Sequence, residues 1–290
     1  MNTNHEVVCA GAMLWDALGH TRRRLAFGDD HTGEVSQHPG GVALNVARNL
    51  RRLGCTPVIL SAIGTDSAGD LLASEVADMG ISIAYLCRLG ISTGRYIAIE
   101  DADGLVAAIA DTRCLDAAGK QILAPLLNGA LKGSRTVLLD GNLAPAVLNE
   151  AAEALSFCDL RIIPASPSKA GRLTPFLRCP NAALYLNLHE AEALLGHHCP
   201  DAAHAAKALA EIGGARVIVT DGPHEVADAR PDQRVITALP PQAIPTRVTG
   251  AGDLFLAVHL AVELQGATRD AALRRAAETA SAFVAGKDLP

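Results

Sequence analysis

The stretch Val248-Thr-Gly-Ala-Gly-Asp253 is followed at once by Leu-Phe-Leu-Ala-Val-His-Leu-Ala-Val262, a segment that is apolar on nearly every face. A helix of that composition must be buried. Its amino end therefore presents free backbone N–H groups, and the positive end of the helix dipole, to a loop of small residues that an anion can approach closely. The stretch predicts an anion-binding site beside Asp253. A Gly-rich turn with Asp253 as a plain helix N-cap is the alternative for this motif in isolation.

Outward from this stretch, short apolar or β-branched runs alternate with Ala- and Leu-rich helical segments. The chain has 290 residues, of which 49% are hydrophobic, enough for one large core. The alternation indicates a single α/β domain over residues 1–290, doubly wound around a mostly parallel sheet. The predicted strands span 6–10, 58–62, 136–140, 160–164, 183–186 and 217–220, and the predicted helices span 42–53, 71–79, 144–155, 202–212 and the region from 253 onward.

One region interrupts the alternation. Residues 95–100 and 105–109 read as strands around the turn sequence Asp101-Ala-Asp-Gly104. Together with 34–38 they predict a small antiparallel sheet, a lid formed from about 17–39 and 81–111 that covers the carboxyl edge of the main sheet. An ordinary edge hairpin is the alternative that periodicity leaves open.

Two polar pairs stand at predicted strand ends. Asn187-Leu-His-Glu190 follows an apolar run and opens a helix, which puts an amide and a carboxylate one turn apart. Such a pair can hold a hydrated Mg²⁺ ion, but the same spacing also forms a helix capping box. Asp16 closes the first apolar run and Asn45 opens the first long helix, so the two are suited to bind a vicinal diol. A turn aspartate and a helix-start asparagine are the structural alternatives.

Composition excludes several classes of function. The formal net charge of −6 argues against nucleic acid as a partner. Seven cysteines are scattered singly without a C-x-x-C pair, which suits a reducing cytoplasm. The tract His197-His198-Cys199 lacks ligands at a zinc spacing, so we assign no zinc. We see neither an export signal nor an apolar run long enough to span a membrane, and we expect a cytoplasmic protein.

The order of the motifs resembles that of the ribokinase-like, or PfkB, carbohydrate and nucleoside kinases over essentially the whole chain. The shared motifs are Gly-Gly-x-x-x-Asn45, Ile63-Gly-Thr-Asp-Ser-Ala-Gly69, Asn187-x-x-Glu190, Val-Thr-Asp-Gly222 and Thr-Gly-Ala-Gly-Asp253. The resemblance implies a ribokinase-like fold with a small β-sheet lid, sugar at the lid, and ATP with Mg²⁺ across the carboxyl edge of the sheet. It also allows a homodimer formed through the lid.

The same resemblance implies roles for individual residues. Asp253 is expected to be the catalytic base, with the amides of Gly250, Ala251 and Gly252 around the transferred phosphoryl group. The sugar binders are expected to be Asp16, Gly41 and Asn45. Asn187 and Glu190 are expected to position phosphate and magnesium, Glu190 through water, and Thr220 and Gly222 to form part of the nucleotide wall.

Two positions depart from the family pattern. Arg247 stands where an acidic residue is frequent, which argues against the monovalent-cation site of many relatives. Glu225 stands where a glycine is frequent after Gly222, which affects the expected shape of the nucleotide loop. These two departures favour a catalytically silent binding protein, whereas the intact Asp253 motif favours a kinase.

Three further features resemble pseudouridine kinases more than ribokinases. Val42 replaces the lysine that ribokinases usually carry, the lid sequence Thr93–Asp111 is similar, and Pro164-Ala-Ser-Pro-Ser-Lys169 follows a central strand. The predicted acceptor is therefore pseudouridine, with another sugar kinase of the ribokinase or fructokinase type as the alternative. The resemblance gives substrate contacts to Thr93, Tyr96, Asp111 and Lys169.

Overall fold

The computed structural model describes residues 5–131 and 133–287, and fourteen strands lie within these ranges. They are β1 (Glu6–Ala10), β2 (Leu14–His20), β3 (Glu34–Gly40), β4 (Thr56–Leu60), β5 (Ala62–Gly64), β6 (Cys87–Leu89), β7 (Arg95–Asp101), β8 (Gly104–Asp111), β9 (Thr136–Asp140), β10 (Asp159–Ile163), β11 (Ala182–Asn187), β12 (Arg216–Thr220), β13 (Val226–Ala229) and β14 (Ile236–Ala238).

Ten α-helices connect these strands in the same described ranges. They are α1 (Val42–Arg52), α2 (Ser67–Asp78), α3 (Arg113–Ala118), α4 (Ala124–Leu127), α5 (Pro145–Ala154), α6 (Pro167–Ala170), α7 (Leu188–Leu195), α8 (Ala202–Gly213), α9 (Ala251–Leu264) and α10 (Arg269–Val284), with 3₁₀ segments at Gly119–Leu123 and Gly171–Arg178. None of the described helices is both long enough and apolar enough to cross a membrane.

The central sheet has the strand order β14-β13-β12-β11-β10-β9-β1-β4. Within this sheet, β4, β1, β9, β10, β11 and β12 are parallel to one another, and β13 and β14 add an antiparallel edge. Helices cover both faces, so the inner strands are apolar on both sides rather than alternating. In β1, Val8 and Ala10 face the layer that holds α5 and α8, whereas Val7 and Cys9 face the layer that holds α1 and α9. The predicted doubly wound, mostly parallel sheet is confirmed.

A second sheet of four strands has the order β3-β2-β7-β8. β7 and β8 form the predicted hairpin, and β2 pairs antiparallel with β3. However, β2 pairs parallel with β7, so the sheet is mixed rather than antiparallel. Asp16 also differs from its prediction, because it lies inside β2 instead of closing β1. Residues 87–89 form β6, which pairs with β5 outside this sheet.

The carboxyl ends of the parallel strands meet at one edge of the central sheet. After β1 the chain crosses one face through α1 to β4, and after β9 it crosses the other face through α5 to β10. The boundary between β1 and β9 is thus a point where the winding reverses, the usual place for a ligand crevice in an open α/β sheet.

Candidate active site

A cavity of about 600 Å³ lies at this carboxyl edge, between the central sheet and the inner face of the second sheet. Most of the residues that the sequence predicts to bind ligands or take part in catalysis line this cavity. They are Asp16, Gly41, Asn45, Tyr96, Lys169, Asn187, Glu190, Thr220, Gly250, Gly252 and Asp253.

Asp253 lies in the first turn of α9 and is only 8% exposed. Burial raises the pKa of its carboxyl from 3.8 to about 7, and the neighbouring carboxylates of Asp140 and Asp16 act in the same direction. A hydrogen bond from Asn45 and the positive charge of Arg48 oppose that rise in pKa. A carboxylate with a pKa near neutrality is suited to accept and release a proton at physiological pH.

Asn45 connects Asp253 to α1. Its Nδ2 donates to Oδ2 of Asp253 at 3.0 Å, and its Oδ1 accepts from Nη2 of Arg48 at 2.9 Å. Arg48 was not predicted, although it follows Asn45 by three residues and so lies on the same helical face. Its guanidinium is the positive charge that partly opposes the rise in the pKa values of both Asp16 and Asp253 caused by burial.

Asp16 enters the cavity from β2. Burial raises the pKa of its carboxyl to about 6, against the opposing charge of Arg48. Gly40, which lies opposite Leu14 on the neighbouring strand, makes room for it, because a Cβ at Gly40 would lie 1.9 Å from Oδ2 of Asp16. Gly41 has a φ of 96°, and a Cβ there would lie 2.5 Å from the carbonyl oxygen of Ala12. Both glycines are therefore needed where α1 begins.

Asp140 does not itself line the cavity, but it binds the backbone of two residues that do, Ala12 and Asn142, and the sequence did not identify it. It is fully buried at the end of β9, and its Oδ2 accepts from the backbone N–H groups of Ala12 at 2.8 Å and Ala43 at 3.0 Å. Its Oδ1 accepts from the N–H of Asn142 at 2.8 Å. Burial raises the pKa of Asp140 and the three hydrogen bonds lower it. Gly11 is required beside it, because a Cβ there would lie 2.3 Å from this carboxylate.

The amino end of α9 is open in part. Gly250 has a φ of 85° and turns the chain into the helix. The N–H of Ala251 donates to the carbonyl of Val248 at 3.1 Å, which corrects the expectation that this amide faces an anion. Within residues 5–131 and 133–287, the N–H groups of Gly250 and Gly252 have no acceptor. These two amides, with the helix dipole, are among the donors available to an anion in the cavity.

Asn187 and Glu190 form a complete capping box at the start of α7. Oδ1 of Asn187 accepts from the N–H of Glu190, and Oε2 of Glu190 accepts from the N–H of Asn187, both at 2.9 Å. Burial raises the pKa of Glu190. Its Oε1 has no hydrogen-bond partner in the described part of the chain, so Glu190 can both cap the helix and accept from a metal-bound water.

This donor set fits a hydrated magnesium ion. The described ranges contain no cluster of three or more His, Cys, Asp or Glu side chains that could enclose a metal. Mg²⁺ keeps several of its waters and is usually held by one or two carboxylates together with substrate phosphates. A single available carboxylate oxygen on Glu190 is consistent with that mode of binding.

Lys169 and Tyr96 line the cavity from different elements, Lys169 from α6 and Tyr96 from β7. Nζ of Lys169 donates to Oδ1 of Asn142 at 2.5 Å, and burial lowers the pKa of this amine. Tyr96 comes from β7, where it pairs with Ala110 of β8 and lies next to Asp16 of β2. The two side chains thus add a phenol and a cation to the lining of the cavity.

Thr93, Asp111 and Gly222 were also predicted to contact ligands, but they are not among the residues that line the cavity. The hydroxyl of Thr93 is buried, accepts from the N–H of Gly64 at 3.0 Å and donates to Asp66. The carboxylate of Asp111 is taken up by Arg113, whose Nη2 lies 2.7 Å away. The Thr93 hydroxyl is thus held by residues at the end of β5 and the start of α2, and the Asp111 carboxylate by a residue two positions later in the chain.

The pfkB family carbohydrate kinase profile matches residues 4–288. The chain belongs to the pfkB family of carbohydrate kinases. It is therefore a sugar or nucleoside kinase with a ribokinase-like fold. Kinases of this family use ATP, typically with Mg²⁺.

Several pfkB relatives cover much of the chain. It is 33% identical over 175 residues to the uncharacterized sugar kinase YeiI of Escherichia coli, a match that spans 59% of this chain but only 47% of that relative. It is 27% identical over 267 residues to the pseudouridine kinase of Escherichia coli, covering 89% of this chain and 83% of that one.

Solved structures show the same fold. A carbohydrate kinase from Agrobacterium tumefaciens superposes with a TM-score of 0.81 at 28% identity, covering 98% of this chain and 94% of that one. Arabidopsis thaliana ribokinase, solved with ribose and ATP, superposes with a TM-score of 0.79 at 20% identity, covering 97% and 92%.

The two departures from the pfkB pattern have local structural roles. The guanidinium of Arg247 lies 3.9 Å from the ring centroid of Phe283, and its Nε donates to the Phe283 carbonyl at 3.0 Å. It thereby ties the loop before α9 to the end of α10. Glu225 is exposed next to β13 and accepts from the hydroxyl of Thr237 at 3.3 Å. Neither residue blocks the cavity.

Proposed function

We propose that this pfkB kinase transfers the γ-phosphoryl group of ATP to the hydroxymethyl group of a ribose-containing nucleoside, pseudouridine before others, with Asp253 as the catalytic base. The observation that carries the proposal is Asp253 itself. It is a buried carboxyl with a pKa of about 7, at the mouth of a helix and hydrogen-bonded to Asn45 in the same cavity as Asp16.

The proposed reaction is an in-line displacement. The 5′-hydroxyl gives its proton to the Asp253 carboxylate while its oxygen forms a bond to the γ-phosphorus, and the bond from that phosphorus to the β–γ bridging oxygen breaks to release ADP. The free N–H groups of Gly250 and Gly252 stabilise the negative charge on the transferred group. Magnesium, when bound near Glu190, would neutralise phosphate charge.

Asp16 and Asn45 are the proposed binders of the ribose diol. The Asp16 carboxylate can accept from two adjacent hydroxyls, and Asn45 has one N–H left after its bond to Asp253. These contacts need only a ribose ring, so they cannot distinguish a nucleoside from a free sugar.

Recognition of the base is assigned to Lys169 and Tyr96. Uracil presents two carbonyls and two N–H groups, so it needs both donors and acceptors from the walls of its pocket. The ammonium of Lys169 donates, and the phenol of Tyr96 can do either. When a bare sugar binds, polar groups meant for the base remain unpaired, which is a large penalty in a closed site. The similarity to the pseudouridine kinase of Escherichia coli supports the same acceptor.

ADP release in the presence of pseudouridine, uridine, adenosine, ribose and fructose tests the proposal. We expect the highest kcat/KM with pseudouridine. Lys169→Met should lower the ratio of pseudouridine to ribose turnover by about tenfold or more, whereas Lys207→Met on the exposed side of α8 should leave it unchanged. Turnover of ribose or fructose without turnover of pseudouridine would contradict the acceptor while leaving the kinase chemistry intact.

We also propose that the second sheet mediates a homodimer. The face of this sheet that points away from the cavity exposes large apolar side chains, with Val35 81%, Ile97 48% and Ile109 72% exposed. Ile97 and Ile109 are paired across β7 and β8, so they form a continuous patch. Light scattering should give twice the chain mass, and Ile109→Lys should reduce it to the mass of one chain. A monomeric wild-type chain would contradict the dimer.

A further inference from the structure

A second cavity, of about 410 Å³, lies at the opposite edge of the central sheet, where β10, β11 and β12 begin. β12 runs from Arg216 at this edge to Thr220 at the candidate active site, a separation of about 13 Å at 3.3 Å per residue. The cavity is therefore separate from the catalytic one. Its polar lining includes Asp159, Arg161, Arg216, Arg230 and Gln233.

Arg161 is buried in a hydrogen-bond network at the base of this cavity. Its Nη2 donates to Asp159 at 2.7 Å, and its Nη1 donates to the hydroxyl of Tyr185 at 2.8 Å and to Glu263 at 2.6 Å. Its Nε also points to Asp159, at 3.1 Å. A guanidinium has five N–H groups. One N–H of Arg161 is thus left without an acceptor among the described residues.

Arg216 has a similar environment. Its Nε and Nη2 donate to Asp228 at 3.0 and 2.6 Å, its Nη1 donates to Glu263 at 2.6 Å, and its Nη2 lies 3.3 Å from Nε2 of His259. Here too the described part of the chain leaves one N–H without an acceptor. Burial lowers the pKa of His259 to about 4, so this imidazole is neutral and adds no positive charge.

The charges around the cavity do not balance. The ion-pair network that borders the cavity, taken together with Arg230, contains four guanidiniums, from Arg161, Arg216, Arg230 and Arg269, and three carboxylates, from Asp159, Asp228 and Glu263. Every carboxylate is paired with Arg161, Arg216 or Arg269.

Arg230 is the guanidinium that no described carboxylate pairs with. Partial burial lowers its pKa, and the positive charges of Arg216 and Arg269 act in the same direction. Gln233 stands beside it, with Oε1 accepting from Nη1 of Arg269 at 2.7 Å and its NH₂ group left as a donor. An anion at this point would offset the excess positive charge.

We propose that this amino-edge cavity binds a small phosphate-bearing anion, held by Arg230 together with the remaining N–H groups of Arg161 and Arg216 and the amide of Gln233. A phosphate group has three terminal oxygens that point in different directions. It therefore suits guanidinium donors that reach it from β10, β12 and the loop after β13, and charge-assisted bonds of this kind are strong.

A phosphate titration of the full-length ¹⁵N-labelled protein, followed by the amide resonances, separates this site from the catalytic one. Inorganic phosphate replaces chloride at constant ionic strength. Ala182 and Gly214 report on the amino-edge cavity, and Gly250 and Gly252 report on the candidate active site. We expect saturable shifts of the first pair, with Arg230→Gln weakening that binding by about tenfold or more.

Arg234→Gln is the matched control, because Arg234 is exposed four residues away and does not line the cavity. It should leave the titration unchanged, and neither substitution should alter the shifts of Gly250 and Gly252. The proposal is wrong if Ala182 and Gly214 show no saturable shift in the wild-type protein, or if Arg230→Gln binds phosphate at these positions as well as Arg234→Gln does.

Discussion

Nδ2 of Asn45 lies 3.0 Å from Oδ2 of Asp253, and this hydrogen bond joins the starts of two helices that are 208 residues apart in the sequence. Arg48 completes the chain of contacts through Oδ1 of Asn45. Asn45, a proposed diol binder, is thus bonded both to Arg48 and to Asp253, the proposed base. A substitution at Asn45 or Arg48 should therefore change the pKa of Asp253.

The pH dependence of kcat/KM should report the raised pKa of Asp253. A base must be deprotonated to act, so activity should rise with pH and reach half its maximum near a pH of about 7. The charge of Arg48 lowers that pKa, so Arg48→Met should move the profile to higher pH by roughly half a unit to one unit. Arg52→Met, on the exposed side of α1, should leave it in place. A profile that is flat between pH values of about 5 and 9 would contradict the assignment.

Asp253→Asn should stabilise the fold most at alkaline pH. The pKa of about 7 in the folded state exceeds the ordinary value of 3.8, so between these values only the folded chain holds the proton. The contribution of this carboxyl to the free energy of unfolding therefore falls as the pH rises from 3.8 to about 7, and above that range the buried carboxyl is ionised in the folded chain as well. The gain in melting temperature should be larger at a pH of about 8.5 than at about 5. Asp78→Asn, an exposed change, should show no such difference.

Gly40→Ala should disturb acceptor binding more than ATP binding. The new Cβ would overlap the Asp16 carboxylate, which must then leave its position in the cavity. We expect the KM of the acceptor to rise by about tenfold, the scale of one lost charged hydrogen bond, with the KM of ATP unchanged. Gly90→Ala has no neighbour within 4 Å and serves as the control. An unchanged acceptor KM would remove Asp16 from the proposed diol site.

Glu190→Gln should raise the magnesium concentration that gives half-maximal rate. Glutamine can still accept from the Asn187 N–H, so the capping box survives while the charge near the metal is lost. Acceptor binding without ATP should be unaffected. Glu211→Gln, exposed on α8, is the matched control. If both variants titrate with magnesium as the wild-type protein does, the capping box is the whole role of Glu190.

Sequence alone predicted the sheet, the hairpin of β7 and β8, and the gathering of Asp253, Asn45 and Glu190 at one edge. It could do so because a buried helix, a tight turn and strand ends leave local signals. The position of Asp16 was not predicted correctly. Residues 11–13 separate β1 from β2, but they are as apolar as the two strands, so hydrophobicity does not mark the boundary.

The role of Asp140 could not be predicted either. It is a single aspartate at the end of a strand, and its partners come from β1, α1 and the loop after β9, so only the folded chain brings them together. Thr93 was expected to contact the ligand because of the family resemblance, but it does not line the cavity, and its hydroxyl donates to Asp66, 27 residues away in the sequence.

The rate of ADP formation by Asp253→Asn with a saturating acceptor tests the central claim most directly. The measurement is best made at a pH of about 8, where the wild-type base is deprotonated. We predict a kcat lower by about 10² to 10⁴, the usual contribution of a positioned general base, with little change in the KM of the acceptor. A variant that turns over at nearly the wild-type rate would show that Asp253 is not the base.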